Sequence, residues 1–83
     1  MKDSQHILCL HNDNVHSFDF VLNALMEVCD HNSDQAEQCA YITHYKGISE
    51  IKVGCLSDLS ILREQLGKKG LIVSVEINKT HIK

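Results

Sequence analysis

The apolar positions of this 83-residue chain change their period along the sequence, and the period separates strands from helices. Residues 7–10, Ile-Leu-Cys-Leu, form a short apolar run without helical periodicity, so we expect a strand within residues 5–11 that is buried on at least one face. From Ser17 onwards the apolar residues recur at helical spacing along one stripe, which predicts an amphipathic helix. The stripe consists of Phe18, Val21, Leu22, Leu25, Met26, Val28 and Cys29.

A second helix is predicted between two capping signals. Asn32 or Ser33 can accept hydrogen bonds from backbone donors that the first helical turn leaves free, and Gly47 suits a left-handed C-terminal cap. His44 lies in the last turn of this helix, four residues after Ala40, so the two residues share a face.

The second half of the chain predicts a strand, a short helix and a final strand. Residues 50–55 alternate between polar and apolar, which is typical of a half-exposed strand. A third helix opens at residues 57–59 and ends at Gly67. Residues 71–77 are rich in β-branched side chains and form the strongest predicted strand, whereas we expect residues 78–83 to be frayed. The inward-facing residues of the third helix are Leu59, Leu62 and Leu66.

The predicted order is therefore β-α-α-β-α-β. One small sheet of three strands can bury one face under three helices, so we expect an α+β fold, a two-layer sandwich. A chain of this length buries only about 60% of its unfolded surface, which allows one core. We expect a single domain over residues 1–83, with its core in residues 5–77.

Composition and charge narrow the class of protein. The net charge of −3 provides no basic surface for nucleic acid, and no apolar run is long enough to span a membrane. The polar first six residues lack the apolar segment of a secretory signal, so we expect a cytoplasmic protein. We also expect a monomer.

The cysteines and histidines do not predict a metal site. Cys9, Cys29, Cys39 and Cys55 form no Cys-x-x-Cys pair and lie inside apolar patterns, so we expect buried free thiols. His6, His11 and His16 are five residues apart, a spacing that fits neither one face of a strand nor one face of a helix. We therefore expect no metal and no cofactor.

The turn between the first strand and the first helix is the candidate for function. It begins Asn12, Asp13, Asn14, and Ser17 is placed to cap the following helix. Asn and Asp are also common turn formers because their short side chains bond the local backbone. Taken alone, the three residues predict only a turn.

Several features occur in a fixed order along residues 7–76. They are a short strand that ends in Asn12-Asp13, the pair Phe20-Val21, Ala36 early in the second helix, His44-Tyr45-x-Gly47 at its end, Gly54 before the third helix, and Leu71 to Glu76 in the last strand. None of these features is specific alone, but in their joint order and spacing they resemble the ClpS adaptors.

The resemblance implies a binding module without catalytic activity. ClpS proteins bind the N-terminal peptide segment of substrate proteins whose first residue is large and hydrophobic, an N-degron, and deliver them to a Clp ATPase–protease, so the implied partners include the N-terminal domain of that ATPase. In the family the α-amino group is held at the positions of Asn12, Asp13 and His44. An ammonium group has three donors, and an amide oxygen, a carboxylate and a neutral imidazole supply three acceptors.

The resemblance also implies a hydrophobic pocket for the first side chain, and here the chain departs from the family. The usual Thr-Pro-Met is replaced by His16-Ser17-Phe18, and Asn14 stands where Asp is usual. For the contact with the ATPase, the nearest candidates are Arg63 and Glu64. The implied pocket residues are Phe18, Val21, Ala40, Thr43 and Leu71.

The adaptor is the leading hypothesis, and two other functions are possible. The altered residue at position 18 and the short N-terminus motivate the alternative of a ClpS-like regulatory or scaffold domain that binds the ATPase but has lost N-degron binding. An enzyme that uses His44 and Asp13 as a pair of bases is disfavoured, because no nucleophile, metal or cofactor site accompanies them.

Overall fold

In a computed structural model, residues 5–13 and 15–77 are described, and they form six elements. The order is the predicted β-α-α-β-α-β. Asn14 and the predicted frayed segment 78–83 lie outside the described residues. The elements are β1 (His6–His11), α1 (Phe18–Val28), α2 (Ser33–Lys46), β2 (Ile48–Gly54), α3 (Leu56–Lys68) and β3 (Ile72–Ile77).

The three strands form one sheet in the order β2-β1-β3, and β1 is antiparallel to both neighbours. Leu8 and Leu10 of β1 point into the core. Ile7 and Cys9 alternate with them and therefore face the other side of the sheet, yet they are also buried. The pairing of β1 with β2 shifts register between Leu8 and Cys9.

Side-chain caps begin the first two helices, as the sequence predicts. The Ser17 hydroxyl accepts a hydrogen bond from the Phe20 backbone N–H at 3.1 Å. Asn32 and Gln35 form a reciprocal capping box at the start of α2. Gly47 ends α2 with φ of 92°, a left-handed conformation that favours glycine.

The core lies between the sheet and the three helices, which confirms the predicted two-layer α+β sandwich. Partly buried side chains such as Val21 and Leu62 pack around it. The buried cluster consists of Leu8, Leu10, Ala24, Leu25, Cys29, Ala36, Ile51, Leu59, Leu66 and Leu71.

The cysteines only partly follow the prediction of buried thiols. All four are free: Cys9 and Cys29 are buried, and Cys39 is partly buried. Burial raises the pKa of the Cys29 thiol to about 11, so it stays protonated at neutral pH. The prediction is wrong for Cys55, which is exposed because β2 ends at Gly54 and Cys55 becomes the N-cap residue of α3.

Two leucines of α3 provide a matched test of this packing. Leu66 is fully buried in the core cluster, whereas Leu56 at the start of the same helix is half exposed. We expect Leu66→Ala to lower the free energy of unfolding by about 2–5 kcal/mol, and Leu56→Ala to lower it much less. Urea unfolding followed by circular dichroism measures both. Equal losses would contradict the described core.

Candidate functional site

The turn after β1 and the end of α2 meet through one backbone hydrogen bond. The Asn12 N–H donates to the Gly47 carbonyl at 2.9 Å, directly after His11 pairs with Ile48 in the sheet. His44 lies three residues before Gly47, in the last turn of α2. The predicted residues Asn12 and His44 therefore belong to two segments that are joined at one edge of the sandwich, and both are exposed.

The Asp13 carboxylate organises the turn that carries it. Its Oδ1 accepts hydrogen bonds from the backbone N–H of Val15 at 2.9 Å and of His16 at 2.8 Å. Its Oδ2 lies 3.0 Å from His16 Nδ1. The backbone hydrogen bond from His16 is the largest cause that lowers the pKa of the Asp13 carboxyl, and it outweighs the opposing effect of partial burial.

His16 is a residue of this site that the sequence reasoning missed. Besides its contact with Asp13, its ring stacks on Phe20 with ring centroids 4.6 Å apart. The signal was present in the three-residue spacing from Asp13 to His16, and in the replacement of the usual Thr by His.

The predicted pocket residues are mostly part of the core. Ala40, Thr43 and Leu71 are only 2%, 3% and 5% exposed, and Val21 packs against the core cluster. The Thr43 hydroxyl donates to the Cys39 carbonyl at 2.7 Å and lies 2.6 Å from the Ser49 hydroxyl.

Phe18 is the exception, because it is 38% exposed and borders an open groove of about 550 Å³. Tyr41 lines the same groove and stacks on Tyr45 with centroids 6.0 Å apart. Since Tyr41 is three residues before His44, the groove adjoins the helix face that carries His44. The groove is lined by Phe18, Asp34, Glu37, Gln38, Tyr41 and Ile42.

Leu71 lies elsewhere. It lines a second groove of about 500 Å³ between α3 and β3, with Arg63, Glu64 and Ile72 among its neighbours. The described structure therefore does not bring Leu71 into the groove beside Phe18.

The chemistry of this edge suits a cation with hydrogen-bond donors. The last turn of α2 ends here, and the C-terminal end of a helix carries partial negative charge. Asp13 adds a formal negative charge, and Asp34 and Glu37 add two more along the groove. Within residues 5–13 and 15–77, no three His, Cys, Asp or Glu side chains are grouped so as to hold a metal ion.

Comparison with known proteins identifies the class to which this fold and turn belong. The family model described as ATP-dependent Clp protease adaptor protein ClpS matches residues 1–73. The chain belongs to the ClpS family.

A solved structure and a search of curated proteins complete the comparison. ClpS2 of Agrobacterium tumefaciens bound to L-phenylalaninamide is similar in fold, with a TM-score of 0.86 and 19% sequence identity. The similarity covers 93% of this chain and 100% of that one. Among curated proteins no match was found. No helix in the described part of the chain is long and apolar enough to cross a membrane.

The hydrogen bonds to Asp13 predict its titration. We expect its carboxyl to titrate below the ordinary value of 3.8, because three donors stabilise the ionised form. These hydrogen bonds contribute to the free energy of unfolding above about pH 3.8, and their contribution is lost as the pH falls through the lowered pKa of the folded protein. NMR of the Asp13 carboxyl carbon, folded and in urea, measures the difference. Equal midpoints would contradict the described turn.

Proposed function

We propose that this chain is an N-degron adaptor. It binds the free α-amino group and the large hydrophobic side chain of a protein's first residue, and it delivers that protein to a Clp ATPase–protease. Membership of the ClpS family supports the adaptor role. The structural observation that carries the proposal is the Asn12–Gly47 backbone bond, which joins the turn bearing Asn12 and Asp13 to the helix end bearing His44.

The proposed ammonium site has three acceptors of different kinds. Asn12 offers its amide oxygen, Asp13 its Oδ2, and His44 a neutral imidazole nitrogen. Oδ2 has His16 as its partner in the described structure, and a carboxylate oxygen can accept a second hydrogen bond. An acetylated N-terminus has lost the charge and most of the donors, so it would leave these acceptors unpaired.

The first side chain enters beside Phe18. This residue and Tyr41 give the open groove two aromatic walls, and aromatic contacts contribute about 0.5–1.5 kcal/mol beyond area burial. L-Phenylalaninamide, the ligand of the Agrobacterium relative, has both a free α-amino group and a benzyl side chain, which is the combination proposed here. Val21, Ala40 and Thr43 do not line this groove and Leu71 lines the other one, so the proposal rests on Phe18 and Tyr41 for the side-chain contact.

Delivery requires a second surface for the N-terminal domain of the ATPase. Arg63 and Glu64 are exposed and line the groove between α3 and β3, which makes them the candidates on this chain. The proposal assigns substrate binding to the edge formed by the β1–α1 turn and α2, and ATPase docking to this second groove.

A ClpS-like scaffold that no longer binds N-degrons is the second candidate. The observation that favours it is the near-complete burial of Ala40, Thr43 and Leu71, because a side-chain pocket needs walls that a ligand can reach. Direct measurement of peptide binding separates the two candidates.

The first experiment is a titration of fluorescein-labelled peptides that differ only in their first residue. We expect peptides that begin with Phe, Tyr or Trp to bind more tightly than a peptide that begins with Leu. We expect peptides that begin with Ile or Val to bind poorly, and a peptide that begins with acetyl-Phe not to bind. Fluorescence anisotropy gives the dissociation constants. Binding of acetyl-Phe as tight as that of Phe would overturn the ammonium site, and no binding by any peptide would favour the scaffold.

Asp13 is best tested by Asp13→Asn, because Asp13→Ala would also remove the acceptor of two backbone hydrogen bonds. Asn keeps an oxygen for those bonds but loses the charge. A hydrogen bond to a charged group contributes about 1.5–3 kcal/mol, so we expect binding to weaken by at least about tenfold. Asp58→Asn on exposed α3 makes the same chemical change far along the chain and serves as the control. Unchanged affinity in Asp13→Asn would exclude the carboxylate from the site.

Phe18 is proposed to exclude β-branched first residues, since a rigid ring yields less than the thioether that is usual in the family. We expect Phe18→Ala to improve the binding of Ile relative to Phe, and Phe18→Met to give an intermediate ratio. The same anisotropy titrations measure these ratios. An unchanged Ile-to-Phe ratio in both variants would show that Phe18 is not the selective wall.

A further inference from the structure

His16 contacts three separate segments of the chain at once. Its Nδ1 lies 3.0 Å from Asp13 Oδ2 in the β1–α1 turn, and its ring stacks on Phe20 in the first turn of α1 at an interplanar angle of 24°. The Nε2 and Cε1 atoms of the ring face Gly70, in the turn between α3 and β3. Its side chain is therefore largely enclosed between these segments.

The fit against Gly70 is close. A Cβ atom on Gly70 would lie 3.0 Å from His16 Nε2 and 3.2 Å from Cε1, which is tighter than ordinary contact. Gly70 also has φ of 92°, a conformation that L side chains rarely adopt. The next residue, Leu71, returns to the core and donates its N–H to the Leu66 carbonyl at 3.2 Å.

The direction of the hydrogen bond to Asp13 follows from chemistry. An ionised carboxylate has no proton to donate, so His16 Nδ1 carries the hydrogen and Oδ2 accepts it. Val15 and His16 backbone N–H groups fix Oδ1, but only the His16 ring bonds to Oδ2 among the described residues. The hydrogen bond from the His16 ring thus helps to fix the rotation of the carboxylate, and with it the direction in which Oδ2 can accept a second hydrogen bond.

We propose that His16 is a positioning residue of the ammonium site: its ring, wedged between Phe20 and Gly70, holds Asp13 Oδ2 in the orientation that receives the substrate's α-amino group. His16 itself does not touch the substrate. This inference rests on the proposed function, and it adds a residue that none of the predicted site residues includes.

Three substitutions separate the two contributions of the ring. His16→Asn keeps a nitrogen donor at the position of Nδ1 but removes the ring, whereas His16→Phe keeps a ring and removes the donor. His16→Ala removes both. We expect His16→Ala and His16→Phe to weaken the binding of a Phe-initiated peptide by about tenfold, the smaller of the losses seen when the partner that orients a metal-binding side chain is removed. We expect His16→Asn to weaken binding less than these two variants, because it keeps the donor to Oδ2 but loses the ring that is wedged between Phe20 and Gly70.

The opposite order would overturn the proposal. If His16→Phe binds normally and His16→Asn binds weakly, the ring acts by packing alone, and if all three variants bind normally, His16 has no role in the site. Thermal unfolding of each variant shows which of them are folded. The exposed substitution Ile61→Ala on α3 serves as the control for both measurements.

The titration of the Asp13 carboxyl carbon distinguishes this inference from the proposed function. The His16 side chain is one of the causes that lower the pKa of Asp13, so the midpoint rises in His16→Ala and His16→Phe if the ring holds the carboxylate. If no peptide binds to the unmodified protein, the proposed function fails, and this titration still decides whether His16 holds Asp13. An unchanged midpoint in both variants would overturn the positioning role.

A substitution at Gly70 tests the contact between Gly70 and the His16 ring independently. Gly70→Ala pushes a methyl group against the His16 ring, and the clash disappears when His16 is also replaced by Ala. The backbone strain of Ala at the positive φ of Gly70 is present in both backgrounds and cancels in the comparison, so we expect Gly70→Ala to weaken peptide binding more in the unmodified background than in the His16→Ala background. Gly67→Ala, with open space around the new methyl group and no positive φ, controls for the added methyl group alone. Additive effects of Gly70→Ala and His16→Ala would contradict the contact.

Discussion

The pairing of β1 along both of its edges determines where everything else lies. A strand that is hydrogen-bonded to β2 on one side and β3 on the other has no freedom to shift, because a slip of one residue would turn Leu8 and Leu10 away from the core cluster. Asn12, the residue that follows β1, is therefore held at the junction of α2 and β2, where its N–H donates to the Gly47 carbonyl. The turn that carries Asn12 and Asp13 therefore starts from a fixed position at the end of the central strand.

The Asp13 carboxylate has a structural role in its own turn, in addition to the binding role proposed above. Oδ1 is occupied by backbone donors of its own turn, and Oδ2 is directed by His16. A side chain that is already ordered loses little rotamer freedom when a ligand binds, so less of the binding energy is spent on immobilising it. The same hydrogen bonds explain why removing this side chain would alter both the turn and the proposed site.

The sequence predicts the elements better than it predicts the contacts between them. Capping residues such as Ser17 and Asn32 are local signals, and their bonds form within three residues, so the helix starts follow from the sequence alone. The burial of Ala40 and the separate groove at Leu71 depend on how helices pack across the sheet, which no local pattern encodes. His16 makes one contact of each kind. Its hydrogen bond to Asp13 spans three residues and can be anticipated from the sequence, whereas its fit against Gly70 joins residues that are far apart in the chain and cannot.

The stacked pair on the outer face of α2 has a consequence for how this protein can be observed. The chain contains no tryptophan, and Tyr41 and Tyr45 are its only tyrosines. Both rings are exposed, and Tyr41 lines the groove beside Phe18. The intrinsic ultraviolet emission of the folded protein therefore originates almost wholly from one surface next to the proposed site. Occupancy of that groove by a ligand without its own chromophore can be followed optically on the unlabelled chain.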